Sequence, residues 1–210
     1  CPTNYYDAQA NYIITYCWHS FKKMKNRNTD IIVGGLFLSL TIIFIMISMT
    51  NKPFFDWVFE RHHNQWSWYL RPLFLLPFCY FAYIKSFTGM MMSIFAVFTS
   101  MFWFPKPEVV SENVIEFLKF EKDYLYGEWN LSKKLLTLTI PFSFLVLGLA
   151  FWKRNLVMGI GVVVLIATGK MVWSIQNAGE SGKSILIPAI LGLLICCVLI
   201  YYGFKKLEKK

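Results

Sequence analysis

Six blocks of apolar residues run along this chain, separated by short polar connectors and one long polar interval. Ile31 to Thr50 carries no charge and matches the ~20 residues that an α-helix needs to cross a bilayer. Trp68 to Ile84 and Gly89 to Phe104 count as spans but are a little short, which makes one or both candidates for re-entry or for local thinning of the membrane. Leu135 to Trp152, Leu156 to about Trp173 and Ser184 to Phe204 complete the set. These blocks are apolar all round rather than on one face, the pattern of helices surrounded by lipid and by other helices.

The long polar interval, Pro105 to Lys134, has a different period. Ser111 suits an N-cap, Glu112 falls in the first turn where the helix dipole favours an anion, and Gly127 suits the C′ position. At 100° per residue, Val114, Phe117, Leu118, Phe120, Tyr124 and Leu125 share one side, and Glu112, Glu116, Lys119 and Asp123 the other. The pattern predicts an amphipathic helix lying flat on the membrane surface or on the bundle. Glu121 breaks it: the carboxylate projects into the apolar stripe, where it either snorkels to water or a nearby Lys, or serves a site.

At the N-terminal end, Asp7 caps a second amphipathic pattern, with Tyr12, Ile13, Tyr16, Cys17, Phe21 and Met24 at helical spacing and Lys22, Lys23, Lys25 and Arg27 behind them. This reads as an interfacial helix on an anionic leaflet. No apolar core precedes the basic cluster, so it is not a cleavable signal. The fold class expected is therefore all-α integral membrane, with about six transmembrane helices plus an N-terminal and a central interfacial amphipathic helix. Residues 1–30 form the basic N-terminal segment, 31–104 a first three-helix half, 105–134 the surface helix, and 135–210 a second three-helix half with a basic tail.

Composition agrees with the pattern. At 56% hydrophobic and 19% aromatic residues, the 210-residue chain is too apolar for an ordinary soluble domain. Its net charge of +9 comes from Lys and Arg set mostly beside the apolar blocks. There they anchor helices and meet lipid headgroups, so membrane lipids rather than nucleic acid are the expected partners. The basic residues divide almost evenly between the two sides. The clusters flanking the first and last spans place both termini in the cytoplasm, of a plasma or bacterial inner membrane. Cys79, Cys196 and Cys197 fall inside apolar blocks and Cys17 in the N-terminal stretch, which is no extracellular disulfide framework. Cys1 raises lipidation, but no lipobox is visible.

Few residues offer chemistry. Asn177 to Ser184 (Asn-Ala-Gly-Glu-Ser-Gly-Lys-Ser) resembles the phosphate loop of heterotrimeric G-protein α subunits, with Asn177 where their first Gly stands. The resemblance implies nucleotide binding only with a strand before the loop and an α/β domain after it. Apolar spans flank it instead, so it is read as a turn. Asp56, Glu60 and His63 recur at i, i+4 and i+7, which places them on one face if Pro53 starts a helix, with His62 beside them. Glu60 and His63 have the spacing of one metal-binding Glu-x-x-His motif, a weak metal signal without further ligands. The plain reading is the wet face of an interfacial aromatic helix; the alternative is a joint site with Glu121 or Glu116 from the central helix, for a cation or protons. Lys170, near the outer end of its span, either snorkels or faces an anion pathway.

Two functional classes follow: a membrane protein that binds or transports a small molecule, ion or lipid, or a membrane enzyme with a carboxylate and His site on its outer surface. A third is an accessory subunit of a larger complex, and a homo-oligomer is compatible with each. The sequence names no cofactor.

Overall fold

A computed structural model describes residues 27–208, and every regular element among them is helical. The N-terminal amphipathic pattern and Cys1 lie outside the described residues. In chain order the helices are α1 (Arg27–Thr50), α2 (Lys52–His62), α3 (Trp66–Leu73), α4 (Leu75–Tyr83) and α5 (Phe87–Thr99), the last continued by a 3-10 turn, Ser100–Phe102. Then come α6 (Glu112–Tyr126), α7 (Leu131–Trp152), α8 (Leu156–Ala178), a 3-10 turn Ser181–Ile185, and α9 (Leu186–Glu208). Four segments are long and apolar enough to cross a membrane: Arg27–Thr50, Leu131–Trp152, Leu156–Ala178 and Ser181–Leu207.

Local sequence sets where several helices begin. Asn51, Ser86, Asn130 and Asn155 each stand at an N-cap and accept a hydrogen bond from a backbone N–H three residues on: Phe54 at 3.0 Å, Gly89 at 3.2 Å, Lys133 at 2.8 Å and Met158 at 2.9 Å. Each satisfies a donor that the first turn leaves open. The turns before α5 and α8 are closed by Lys85 and Arg154 in the left-handed region, at φ 61° and 57°. Ser111 stands at the N-cap of α6 but its hydroxyl makes no capping bond, and Gly127 ends that helix with φ −66°, an ordinary conformation. What closes α6 is Lys133. Its ammonium donates to the carbonyls of Tyr124 and Gly127, the latter at 3.0 Å, and lies over the rings of Tyr124 and Trp129. A cation is favoured at a helix C-terminus, where carbonyls lack partners.

The second apolar block is not one helix. It divides at Phe74 into α3 and α4, each far too short to span. Pro77 explains the break, because it has no N–H for the carbonyl of Leu73 and its ring crowds that carbonyl. The third block is likewise short, covering Phe87–Phe102.

Two cores hold the molecule together. The larger joins α4, α7, α8 and α9 through Phe78, Cys79, Ala82, Leu147, Phe151, Val163, Cys196 and Ile200. The smaller lies where α2, α3, α6 and the turn before α9 meet, and contains Phe55, Phe59, Trp68, Val114, Phe117, Leu118 and Ile185. Thus α2 and α6 form a cap against the end of the bundle at which α8 finishes and α9 starts. Separately, α1 is fixed along α5. The Asp30 carboxylate accepts from Ser86 Oγ at 3.0 Å and from the backbone N–H groups of Phe87 and Thr88 at 2.8 and 3.1 Å, and Thr88 Oγ1 donates to the Asp30 carbonyl at 2.8 Å. A carboxylate here meets the positive end of α5. Close contact requires Gly34, since a Cβ there would stand 2.3 Å from the Phe87 ring.

Candidate functional site

Where cap and bundle meet, the break between α3 and α4 leaves space beside α8 and α9. Pro72 packs directly on Gly192, whose missing side chain is required because a Cβ would lie 2.7 Å from the proline ring. One turn further along α9, Cys196 Sγ donates to the Pro72 carbonyl at 3.2 Å. These contacts pin α3 to α9 and hold open a cavity of about 260 Å³. Its body is apolar: Leu75, Val97, Phe144, Val163, Ile166, Ala167, Pro188, Ala189 and Leu193 line it.

Four polar side chains from four helices join that lining: His62 of α2, Arg71 of α3, Glu121 of α6 and Lys170 of α8. Lys170 and Glu121 form an ion pair, in which the carboxylate side chain is 16% exposed and the ammonium side chain 47%. The ammonium also lies over Trp173, at 4.6 Å from the ring centre, and over Phe117 at 5.6 Å. Such rings attract a cation through their negative faces. Arg71 has a different neighbour. Its Nη2 stands 3.4 Å from Nδ1 of His62, its Nε is buried with no hydrogen-bond partner, and among the described residues no carboxylate lies within ion-pair distance of it.

His62 is 4% exposed, and its ring is held against Phe59 and Trp68. Burial pushes its pKa well below the ordinary histidine range, and the positive charges of Arg71, Lys170 and His63 push it the same way. The ring is therefore neutral at pH 7. A guanidinium only donates, so its approach to Nδ1 assigns the proton to Nε2. Ser67 Oγ, 3.1 Å from Nδ1, also reaches the Asn64 carbonyl at 2.9 Å, and its single proton divides between the two. With His62 neutral, the polar group carries Arg71, Lys170 and one carboxylate, a net charge of about +1.

The structure joins Glu121 and Lys170, two residues that the sequence singled out separately. Asp56, Glu60 and His63 do not meet them at the cavity. Asp56 pairs with Lys122 at 2.5 Å and Glu60 with Lys106 at 3.4 Å, while His63 Nδ1 stands 2.8 Å from the Phe59 carbonyl. Glu116 is exposed on α6. Among the described residues no three His, Cys, Asp or Glu side chains cluster closely enough to hold a metal ion. The run from Asn177 to Ser184 makes the turn into α9, with Gly179 at φ 58° and Lys183 bonded to the Glu180 carboxylate.

The sequence pattern marks His62 only as a neighbour of the Asp56, Glu60 and His63 face and gives no function to Arg71, Asp30 or Lys133. For Arg71 a signal existed, as it is a charge next to a proline inside an otherwise apolar block. No family model matches the chain, and neither curated proteins nor solved structures include a match to it.

Proposed function

We propose that this is a polytopic membrane protein that binds a small amphiphilic molecule, drawn from the bilayer, in the cavity between α3, α6, α8 and α9. The observation that carries the reading is the cavity itself: an apolar body of about 260 Å³ with a few convergent polar side chains, the usual make-up of a small-molecule site. The six-span topology is part of the same proposal. The broken α3–α4 pair and α5 with its 3-10 turn supply two short crossings, about 27 and 24 Å at 1.5 Å per residue against a hydrocarbon core of about 30 Å. Both termini are then cytoplasmic, and α2 and α6 lie on the outer surface. The surface-enzyme alternative requires Asp56, Glu60, His63 and Glu121 around one substrate, whereas the three carboxylates sit in three separate ion pairs.

Filling the cavity tests the reading. Ala167→Phe introduces a ring into the lining without touching the polar residues. Wild-type protein in lipid nanodiscs is expected to bind a radiolabelled alkyl probe, dodecanol, above empty discs, and the variant to lose that binding at unchanged melting temperature. Equal binding by a folded variant, or none by wild type, rejects the cavity as a site.

A further inference from the structure

We infer that the molecule held in this cavity is a single-chain amphiphile with an oxyanion head, a carboxylate or a phosphate, which meets Arg71 and Lys170 and takes the place of Glu121 on Lys170. The inference rests on the binding reading above and names the ligand class.

Polarity along the cavity gives the orientation. On α8 the lining runs from Lys170 through Ala167 and Ile166 to Val163, so the ammonium stands about 10 Å along the helix from the deepest apolar side chain. On α9 it runs from Pro188 to Cys196, about 12 Å, with no charge. Arg71, Glu121 and His62 stand with Lys170 at the capped end. A charged head at one end and a chain toward the middle of the bundle is the arrangement of an amphiphile with its head at the membrane interface.

The sign of the head follows from the charges. Glu121 already has Lys170, whereas Arg71 lies against a neutral imidazole with its Nε unpartnered. Arg71 is half-buried and feels the Glu121 carboxylate only from beyond ion-pair distance, so its charge is incompletely compensated, and an oxyanion meets it with charge-assisted, two-point geometry. A cationic head would face the same guanidinium with only a carboxylate that is already paired. Exchange at Lys170 is nearly balanced, since one oxyanion replaces another and the ammonium keeps its contacts with Trp173 and Phe117. Glu121 thus acts as a built-in counter-ion that holds the empty site and competes with the ligand.

The test uses the intact protein in nanodiscs of zwitterionic lipid and four radiolabelled probes of one chain length: dodecanoate, dodecyl phosphate, dodecanol and dodecyltrimethylammonium. The expected result is that the anions bind about tenfold or more tightly than the alcohol or the cation, the loss expected for one charge-assisted contact. The tighter of the two anions identifies the oxyacid. Arg71→Gln and Lys170→Gln are each expected to cut the ratio of anion to alcohol affinity by about tenfold, and Glu121→Gln to raise it. If Arg71→Gln fails to fold, Lys170→Gln and Arg71→Lys carry the test, the latter keeping the charge and losing the two-point fork. Four probes of equal affinity, or an anion preference unchanged in folded Lys170→Gln, overturn the inference while leaving the cavity a site. No probe binding above empty discs overturns the binding reading itself.

Discussion

Replacing Glu121 with Gln removes one partner of the Lys170 pair and keeps nearly the same volume. Breaking a fully buried pair costs about 3–5 kcal/mol, and an exposed pair contributes at most about 1 kcal/mol. This pair lies between those limits, with the Glu121 side chain 16% exposed and the Lys170 side chain 47%. Nearly half of the Lys170 side chain is uncovered by protein, and Trp173 and Phe117 continue to attract its ammonium, so the stranded cation keeps partners. The expected loss is about 2 kcal/mol, or about 4–8 °C in melting temperature for a chain of this size. Glu116→Gln and Asp123→Asn change the same charge on the same helix at exposed positions, where the expected effect is below about 0.5 kcal/mol. Thermal unfolding of the three variants in one detergent makes the comparison. A double-mutant cycle with Lys170→Gln should then return a coupling of about 1–2 kcal/mol, the part of the loss that belongs to the pair. Should Glu121→Gln melt with Glu116→Gln and the cycle show no coupling, the carboxylate is simply solvated and has no place in the site.

Contacts away from the ion pair hold the frame of the site. Asp30→Ala takes three hydrogen bonds from the start of α5 and is expected to destabilise by about 2 kcal/mol, with Asp30→Asn recovering part of it; a melting temperature equal to wild type rejects the Asp30 clasp. Lys133→Met strips the last carbonyls of α6 of their cation and should cost about 1.5–3 kcal/mol, against less than about 0.5 for the exposed neighbour Lys134→Met; equal losses would show that α6 closes without it. His62 binds its proton less readily folded than unfolded. The unfolded chain therefore takes up more protons below the ordinary histidine pKa of about 6.5, and the His62 contribution to stability is lost as pH falls through that value. Melting temperatures at pH 7.5 and pH 5 should differ more in wild type than in His62→Asn, and an identical gap refutes the buried neutral ring. Finally, Glu108→Cys should react with an impermeant thiol reagent on intact cells and Lys153→Cys should not; the opposite pattern inverts the proposed orientation.

Much of the frame is a local property of the chain. Ile31 to Thr50 reads as a span because its apolar residues are contiguous, and the start of α2 follows from Asn51 and Pro53, whose effects reach only three or four residues. Glu121 is visible as a misfit for the same reason, since its place on the stripe depends only on its distance from Phe117, Leu118 and Leu125. Hydropathy alone, however, reads Trp68 to Ile84 as continuous. The division at Phe74 comes from Pro77 acting on the Leu73 carbonyl, and a proline in a membrane helix gives no sign beforehand of whether it kinks the helix or ends it. What meets across the molecule is decided at a further level. Lys170 finds Glu121 at a separation of 49 residues, Asp30 finds the start of α5 at 56 to 58, and among the described residues Arg71 has no carboxylate within ion-pair distance while Asp56 and Glu60 are taken by lysines. These pairings depend on the depth and rotation at which helices pack, which Gly34, Gly192 and the α3–α4 break set by permitting close approach. Contiguous apolar residues and local caps mark the four long helices, and helical spacing marks Glu121 and Lys170 as misfits on theirs; that these two share one cavity with Arg71 is a property of the packing, because their proximity arises from contacts between helices that no spacing within a helix encodes.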